Sequence, residues 1–150
     1  MHKFEIAGLG KAPFRFVSLE EKVFQATPFS KPKAGSSCDY CATAIRFVYW
    51  CESADGRRFK VGCDCVEKVA GGERDPLLRA VKRAKTDHAK AKVLARIDAA
   101  KARLTADPDF LADQPHPKSP RGTLRSYAEW LLKNAGAAGK ARACKLIEQA

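Results

Sequence analysis

Five of the six cysteines in this 150-residue chain, Cys38, Cys41, Cys51, Cys63 and Cys65, fall within 28 positions. Nothing else in the sequence constrains the fold as strongly, because thiols this close must share a metal, pair as disulfides or pack as small apolar groups. No stretch approaches 18 consecutive apolar residues, and the opening MHKFEIAGLGKAPFRF has no apolar run after its lysine. Neither a membrane-spanning helix nor a secretory signal is therefore expected, and the expected location is the cytoplasm. In a reducing compartment clustered thiols hold metal rather than disulfides. Burial as small hydrophobes explains single cysteines better than it explains two close pairs.

Zinc takes four soft or borderline ligands in a tetrahedron, and thiolates complete a closed structural site best. Cys38-x-x-Cys41 has the spacing of a knuckle, in which a tight turn aims both sulfurs at one point. Cys63 and Cys65 are separated by one residue, and in an extended segment positions i and i+2 share a face. The expected ligands for Zn2+ are therefore Cys38, Cys41, Cys63 and Cys65. Between the pairs, AIRFVYWC (44–51) and RFKV (58–61) flank Ala54-Asp55-Gly56 and read as a β-hairpin. A two-residue Asp55-Gly56 turn sets Cys51 opposite Lys60 and away from the metal, whereas a three-residue turn brings Cys51 to the metal side. Whether Cys51 replaces one of the four stays open on these grounds. Cys144 reads as a packed core thiol of the last helix.

The fold class expected is α+β. Residues 3–24 hold two β-like runs separated by Gly8, Gly10 and Pro13, read as a short strand pair, and 27–37 form a loop into the first cysteine. VEKVAGG after Cys65 is a short helical segment closed by Gly71 and Gly72. Asp75-Pro76 starts a helix of about 30 residues, with small or apolar positions at Leu77, Val81, Ala84, His88, Ala91, Leu94, Ile97 and Leu104. It ends near Ala106, before Asp107-Pro108. A proline-rich loop over 107–122 leads to a helix capped by Thr123, and Gly136 and Gly139 separate that helix from a last one, KARACKLIEQA. The division expected is a β-rich zinc-finger module over 1–72 and a helical region over 73–150.

A knuckle, a hairpin and then ligands at the start of a helix is the order of a treble-clef zinc finger. The pattern CDYCATAIRFVYW…DGRRFKVGCDCVEKV resembles a group of small zinc-finger-like proteins found in bacteria, plasmids and phages, with C-x-x-C-G, an aromatic hairpin strand and V-G-C-x-C at the helix start. The resemblance covers about 35 residues and implies Cys38, Cys41, Cys63 and Cys65 as ligands, with Cys51 dispensable. This chain has Ala42 where the group usually has glycine. The group brings no established activity.

No enzyme is expected. None of the three histidines sits in the His-x-Glu context of a zinc deaminase, and four thiolates leave no open position for water. There is no phosphate-binding Gly-rich loop ending in Lys-Ser/Thr. His88 lies on the apolar stripe and reads as a packed, hydrogen-bonded core histidine.

Charge points to the partner. With 28 Lys plus Arg against 17 Asp plus Glu, the net charge is +11, a field that attracts polyanions. Nine of the cations lie between Asp75 and Leu104, against three aspartates. Lys82, Arg83, Lys90 and Arg96 lie off the apolar stripe, where they can meet phosphates. The hairpin adds Arg46, Arg58 and Lys60 beside Phe47, Tyr49 and Trp50, a mixture that suits stacking on unpaired bases and also suits an ordinary hairpin core. The expected function is zinc-stabilised nucleic-acid binding, to DNA or RNA. The alternative is a protein-interaction module, such as a phage- or plasmid-type regulator or inhibitor of a host protein.

Overall fold

A computed structural model describes residues 1–116 and 119–150; of the loop expected over 107–122, positions 117 and 118 lie outside the described residues. The order of elements is α1 (Lys3–Ile6), β1 (Arg15–Glu21), β2 (Val23–Phe24), β3 (Lys33–Ala34), β4 (Ser36–Ser37), β5 (Ala44–Ile45), β6 (Phe47–Glu52), β7 (Arg58–Val61), α2 (Cys63–Val69), α3 (Pro76–Ala106), β8 (Pro115–His116), β9 (Ser119–Thr123), α4 (Leu124–Asn134) and α5 (Ala137–Gln149). The described chain is α+β, with small antiparallel sheets followed by a long helix and two shorter ones.

The first run of the expected strand pair is helical instead. His2 Nδ1 accepts the Phe4 amide and Glu5 Oε2 accepts the His2 amide, a reciprocal cap that closes one turn over KFEI. The second run becomes β1, which pairs with β6 in the three-stranded sheet β1-β6-β7. Phe4, carried by α1 and fully buried, meets Phe14, Tyr40 and Phe59 edge to face at 5.3–5.5 Å between ring centres.

The register of the hairpin follows from its turn. The Ser53 amide donates to the Arg57 carbonyl at 3.0 Å, which leaves Ala54-Asp55-Gly56 as a three-residue loop. Gly56 takes φ +80° there, a conformation that a side chain would strain. Cys51 consequently faces Phe59, while Trp50 faces Lys60. The two-residue alternative, with Cys51 opposite Lys60, is not the one adopted. Tyr49, Cys51, Phe59 and Val61 share one buried core with Val66, Val69, Leu77, Leu78 and Val81.

Packing divides the chain into two compact units, residues 1–88 and 89–150. The first turns of α3 belong with the first unit because Leu77, Leu78 and Val81 complete its core, and a short strand pair, β8 and β9, follows α3 in the second unit. Ile97, Ala100 and Leu104 serve a second core with Leu111, Leu131, Leu132 and Ile147. With one end of the stripe in each core, Ala91 and Leu94, expected on it, are exposed. His88 is half-buried against the Phe47 ring, and its Nε2 is 3.4 Å from Glu21 Oε2 in ion-pair rather than aligned hydrogen-bond geometry.

In the second unit α5 starts three residues before the run expected from sequence and contains Gly139. A Cβ at that position would collide with Ala135 Cβ, so glycine permits the close approach of α5 to the end of α4. Arg125 ties the C-terminus of α3 to α4. Its guanidinium donates to the carbonyls of Leu104 at 2.7 Å and Asp107 at 2.8 Å, and its Nε pairs with Glu129 at 2.9 Å. The Leu104 carbonyl lies in the last turn, where Pro108 has no N–H to offer it, so the contact satisfies an acceptor that the helix end leaves open. Replacement of Arg125 by Met is expected to lower stability by about 1–3 kcal/mol, the usual worth of hydrogen bonds to a charged donor, as measured by urea unfolding.

Candidate metal centre

The knuckle is built by backbone bonds. The Ala42 amide donates to the Cys38 carbonyl at 2.8 Å and the Cys38 amide to the Thr43 carbonyl at 2.9 Å, which turns the chain between the two cysteines. Ala42 takes φ +58°, the left-handed region that costs an L-residue about 1 kcal/mol or more. Asp39 anchors the knuckle to β7: its amide donates to the Lys60 carbonyl at 2.8 Å and its carboxylate accepts the Lys60 amide at 2.8 Å.

The knuckle brings its thiols to the first turn of α2. Cys38, Cys41 and Cys65 place their sulfurs within 4.8 Å of one another, with Cys65 Sγ 3.6 Å from Cys38 Sγ and 3.2 Å from Cys41 Sγ. Four thiolates at the usual Zn–S distance of about 2.3 Å have tetrahedral edges of about 3.8 Å, close to the 3.6 Å and 3.2 Å that separate Cys65 Sγ from the two knuckle sulfurs. Thiolate is the donor set that zinc prefers in a structural site, and Cys38 and Cys65 are nearly closed to solvent. The arrangement fits a metal ion.

Cys63 is placed differently from the extended reading. Residues 63 and 65 both lie in α2, where positions two apart are about 200° apart around the axis rather than on one face. Cys63 Sγ lies outside the three-sulfur group, 3.1 Å from Asp64 Oδ1 and 3.9 Å from Lys85 Nζ. It nonetheless lines the same cleft of about 320 Å³ as Cys41 and Cys65, together with Arg46, Phe47 and Lys68. Cys51 is fully buried, with its sulfur 3.9 Å from the Tyr49 carbonyl, and it is not among the three. Cys144 packs in the second core.

The thiols differ in acidity. Hydrogen bonds from the Thr43 hydroxyl and amide, reinforced by the Cys65 thiol, bring exposed Cys41 down to about 7. Burial pushes Cys65 up, and the neighbouring Cys41 and Cys38 sulfurs add to the effect. Burial pushes Cys51 up to about 12, and burial followed by the Asp64 carboxylate raises Cys63. Without a cation Cys41 thus ionises before Cys65, and its charge opposes ionisation of Cys65. A divalent ion at the centre reverses this order of cost, which couples metal binding to proton release.

The predicted cations are distributed unevenly. Arg46 pairs with Glu21 at 2.6 Å, Arg58 with Glu52 at 3.1 Å, Lys82 with Glu73 at 4.0 Å and Arg83 with Asp87 at 3.8 Å. Arg96 makes a two-pronged contact with Glu148, at 2.5 Å for each prong. Among the described residues, Lys60 and Lys90 have no ion-pair partner. Sequence reasoning passed over Asp39, Thr43 and Lys85. Thr43 could have been suspected from its place two residues beyond Cys41, and Lys85 from its place four residues beyond Val81 on the packed face of α3.

Two outcomes follow for the metal-free chain. At pH 7 iodoacetamide should modify Cys41 first and Cys51 last, and the Cys41 rate should be half-maximal near pH 7 and fall about tenfold per unit below it, as followed by peptide mass spectrometry. Ala42→Gly should raise stability by about 1 kcal/mol in urea unfolding, because the left-handed backbone is then unstrained. Compared with known proteins, the chain matches no family model, no curated protein and no solved structure.

Proposed function

We propose that this is a zinc-binding, treble-clef-like protein that binds nucleic acid, of the kind suggested by its resemblance to small bacterial, plasmid and phage proteins. The convergence of Cys38, Cys41 and Cys65 carries the reading. Cys63, in the same cleft, is the fourth ligand in this proposal and reaches the ion by a side-chain rotation at the start of α2. Zinc held by four thiolates is closed to substrate, so its role is to fix the knuckle to the helix, and the protein acts by binding rather than by catalysis. The net charge of +11 supports a polyanionic partner, and the seven cations from Arg46 to Arg96 supply its first contacts.

No described helix is long and apolar enough to cross a membrane. The second reading, docking on a host protein, is favoured by the exposure of Val23, Phe24 and Phe29, which are 49%, 60% and 98% exposed.

Elemental analysis of the purified chain should find about one zinc per molecule. Cys65→Ser should lose the metal, Cys63→Ser should weaken its retention against a chelator, and Cys51→Ser should keep it. A metal-free protein of unchanged stability contradicts the zinc assignment. Affinity for DNA or RNA should fall steeply and linearly with log salt, by about 0.7–0.9 per phosphate contacted. Undetectable binding to single- and double-stranded DNA and RNA at low salt would leave the protein-docking reading.

A further inference from the structure

Five of the seven predicted nucleic-acid contacts are held by carboxylates, and a phosphate must displace each of these before it can be bound. A different set of cations in the helical unit is free of that cost. A cleft of about 750 Å³ is lined by Lys101 of α3, Lys133 of α4 and Lys140 of α5, over an apolar base that includes Leu104 and Leu132. Among the described residues none of these three lysines has an ion-pair partner. Two further charges face the cleft, Arg125 and Glu129, and they neutralise each other at 2.9 Å. Arg125 is also held by the carbonyls of Leu104 and Asp107, so it shapes the wall and leaves the three ammonium groups as the net field of the cleft.

A second observation sits beside it. Trp130, on α4 three residues before Lys133, is 56% exposed although it is the largest apolar side chain of its unit. Residues three apart on a helix are neighbours on its surface, so Trp130 sits beside Lys133 at the margin of the cleft rather than among the residues that line it. An exposed aromatic face next to lysines that lie on three helices matches the two needs of a single strand, cations that follow the phosphates and a platform on which a base stacks.

We infer that the cleft between α3, α4 and α5 is a single-stranded nucleic-acid site, in which Lys101, Lys133 and Lys140 bind consecutive backbone phosphates and Trp130 stacks a base. This rests on the nucleic-acid reading above and moves its principal contact from the hairpin to the helical unit. The site selects for backbone and stacking rather than for sequence, because lysines read charge and every base has a face to stack.

The test uses the full chain with zinc present and a twenty-nucleotide oligothymidylate as probe. Binding is followed in a Trp50→Phe background, so that Trp130 is the only indole. The expected result is quenching of Trp130 on binding, with a salt slope that falls by about 2 in the Lys101→Gln, Lys133→Gln, Lys140→Gln triple variant, since each lost phosphate contact on a single strand removes about 0.7. Affinity of the triple variant near 100 mM salt should drop at least about tenfold. Lys133→Glu alone, a single exposed change, should weaken binding in the same direction and serves if the triple variant does not keep the native circular dichroism.

An oligothymidylate that binds the parent and the variants alike, with equal slopes, overturns the cleft while leaving nucleic-acid binding intact. If the parent does not bind, this inference and the broader reading fall together. Displacement by poly-glutamate at the same charge concentration as the oligonucleotide would overturn the choice of nucleic acid, because no base stacking is then involved.

Discussion

Contact between the knuckle and the first turn of α2 is the constraint on which the first unit depends. Three sulfurs from two distant parts of the chain meet within 4.8 Å, and two of them belong to the core that also holds Phe4, Phe59 and Val66. Thiols are poor at holding such a meeting unaided, since the neutral groups make only weak hydrogen bonds and the ionised ones repel. A cation turns the repulsion into attraction and fixes the distance at the same time. Tyr40 lies between the knuckle cysteines in sequence and packs on Phe4, so the cysteine cluster and the aromatic core share a wall.

Charge in this molecule does two kinds of work. Many arginines are structural: Arg125 closes the end of α3, Arg103 donates to the Ile147 carbonyl at 2.7 Å near the end of α5, and Arg96 clamps α5 through Glu148. The planar, many-donor guanidinium suits these tasks, whereas a lysine ammonium offers a mobile point charge better matched to a variable partner. The division of labour explains why a high net positive charge is compatible with a tightly bonded interior of the helical unit.

What could be read from residue order was local. The cap at Asp75, whose carboxylate accepts the Leu77 amide at 2.8 Å, and the break at Asp107-Pro108 define α3 almost to the residue. The knuckle was equally legible, because its spacing is a property of one turn. Features that need a partner from elsewhere were not. His2 and Glu5 turn a β-like run into a helix by a cap of two side chains, the hairpin register hangs on one residue in the loop, and Arg96 finds its carboxylate 52 positions away. The phase of α2 was the most consequential of these. Moving the helix start to Cys63 separates two cysteines that an extended segment would have aligned.

Asp39 has one further effect. In the three-stranded sheet β7 is an edge, and at Lys60 both its amide and its carbonyl point outward, where another strand could add. Asp39 occupies both groups, one with its backbone and one with its carboxylate. The knuckle is thus also a cover for the sheet, and any event that frees it, such as oxidation of its thiols, uncovers a strand edge ready to pair with a neighbouring chain. Order in the knuckle and resistance to self-association are, in this fold, one property.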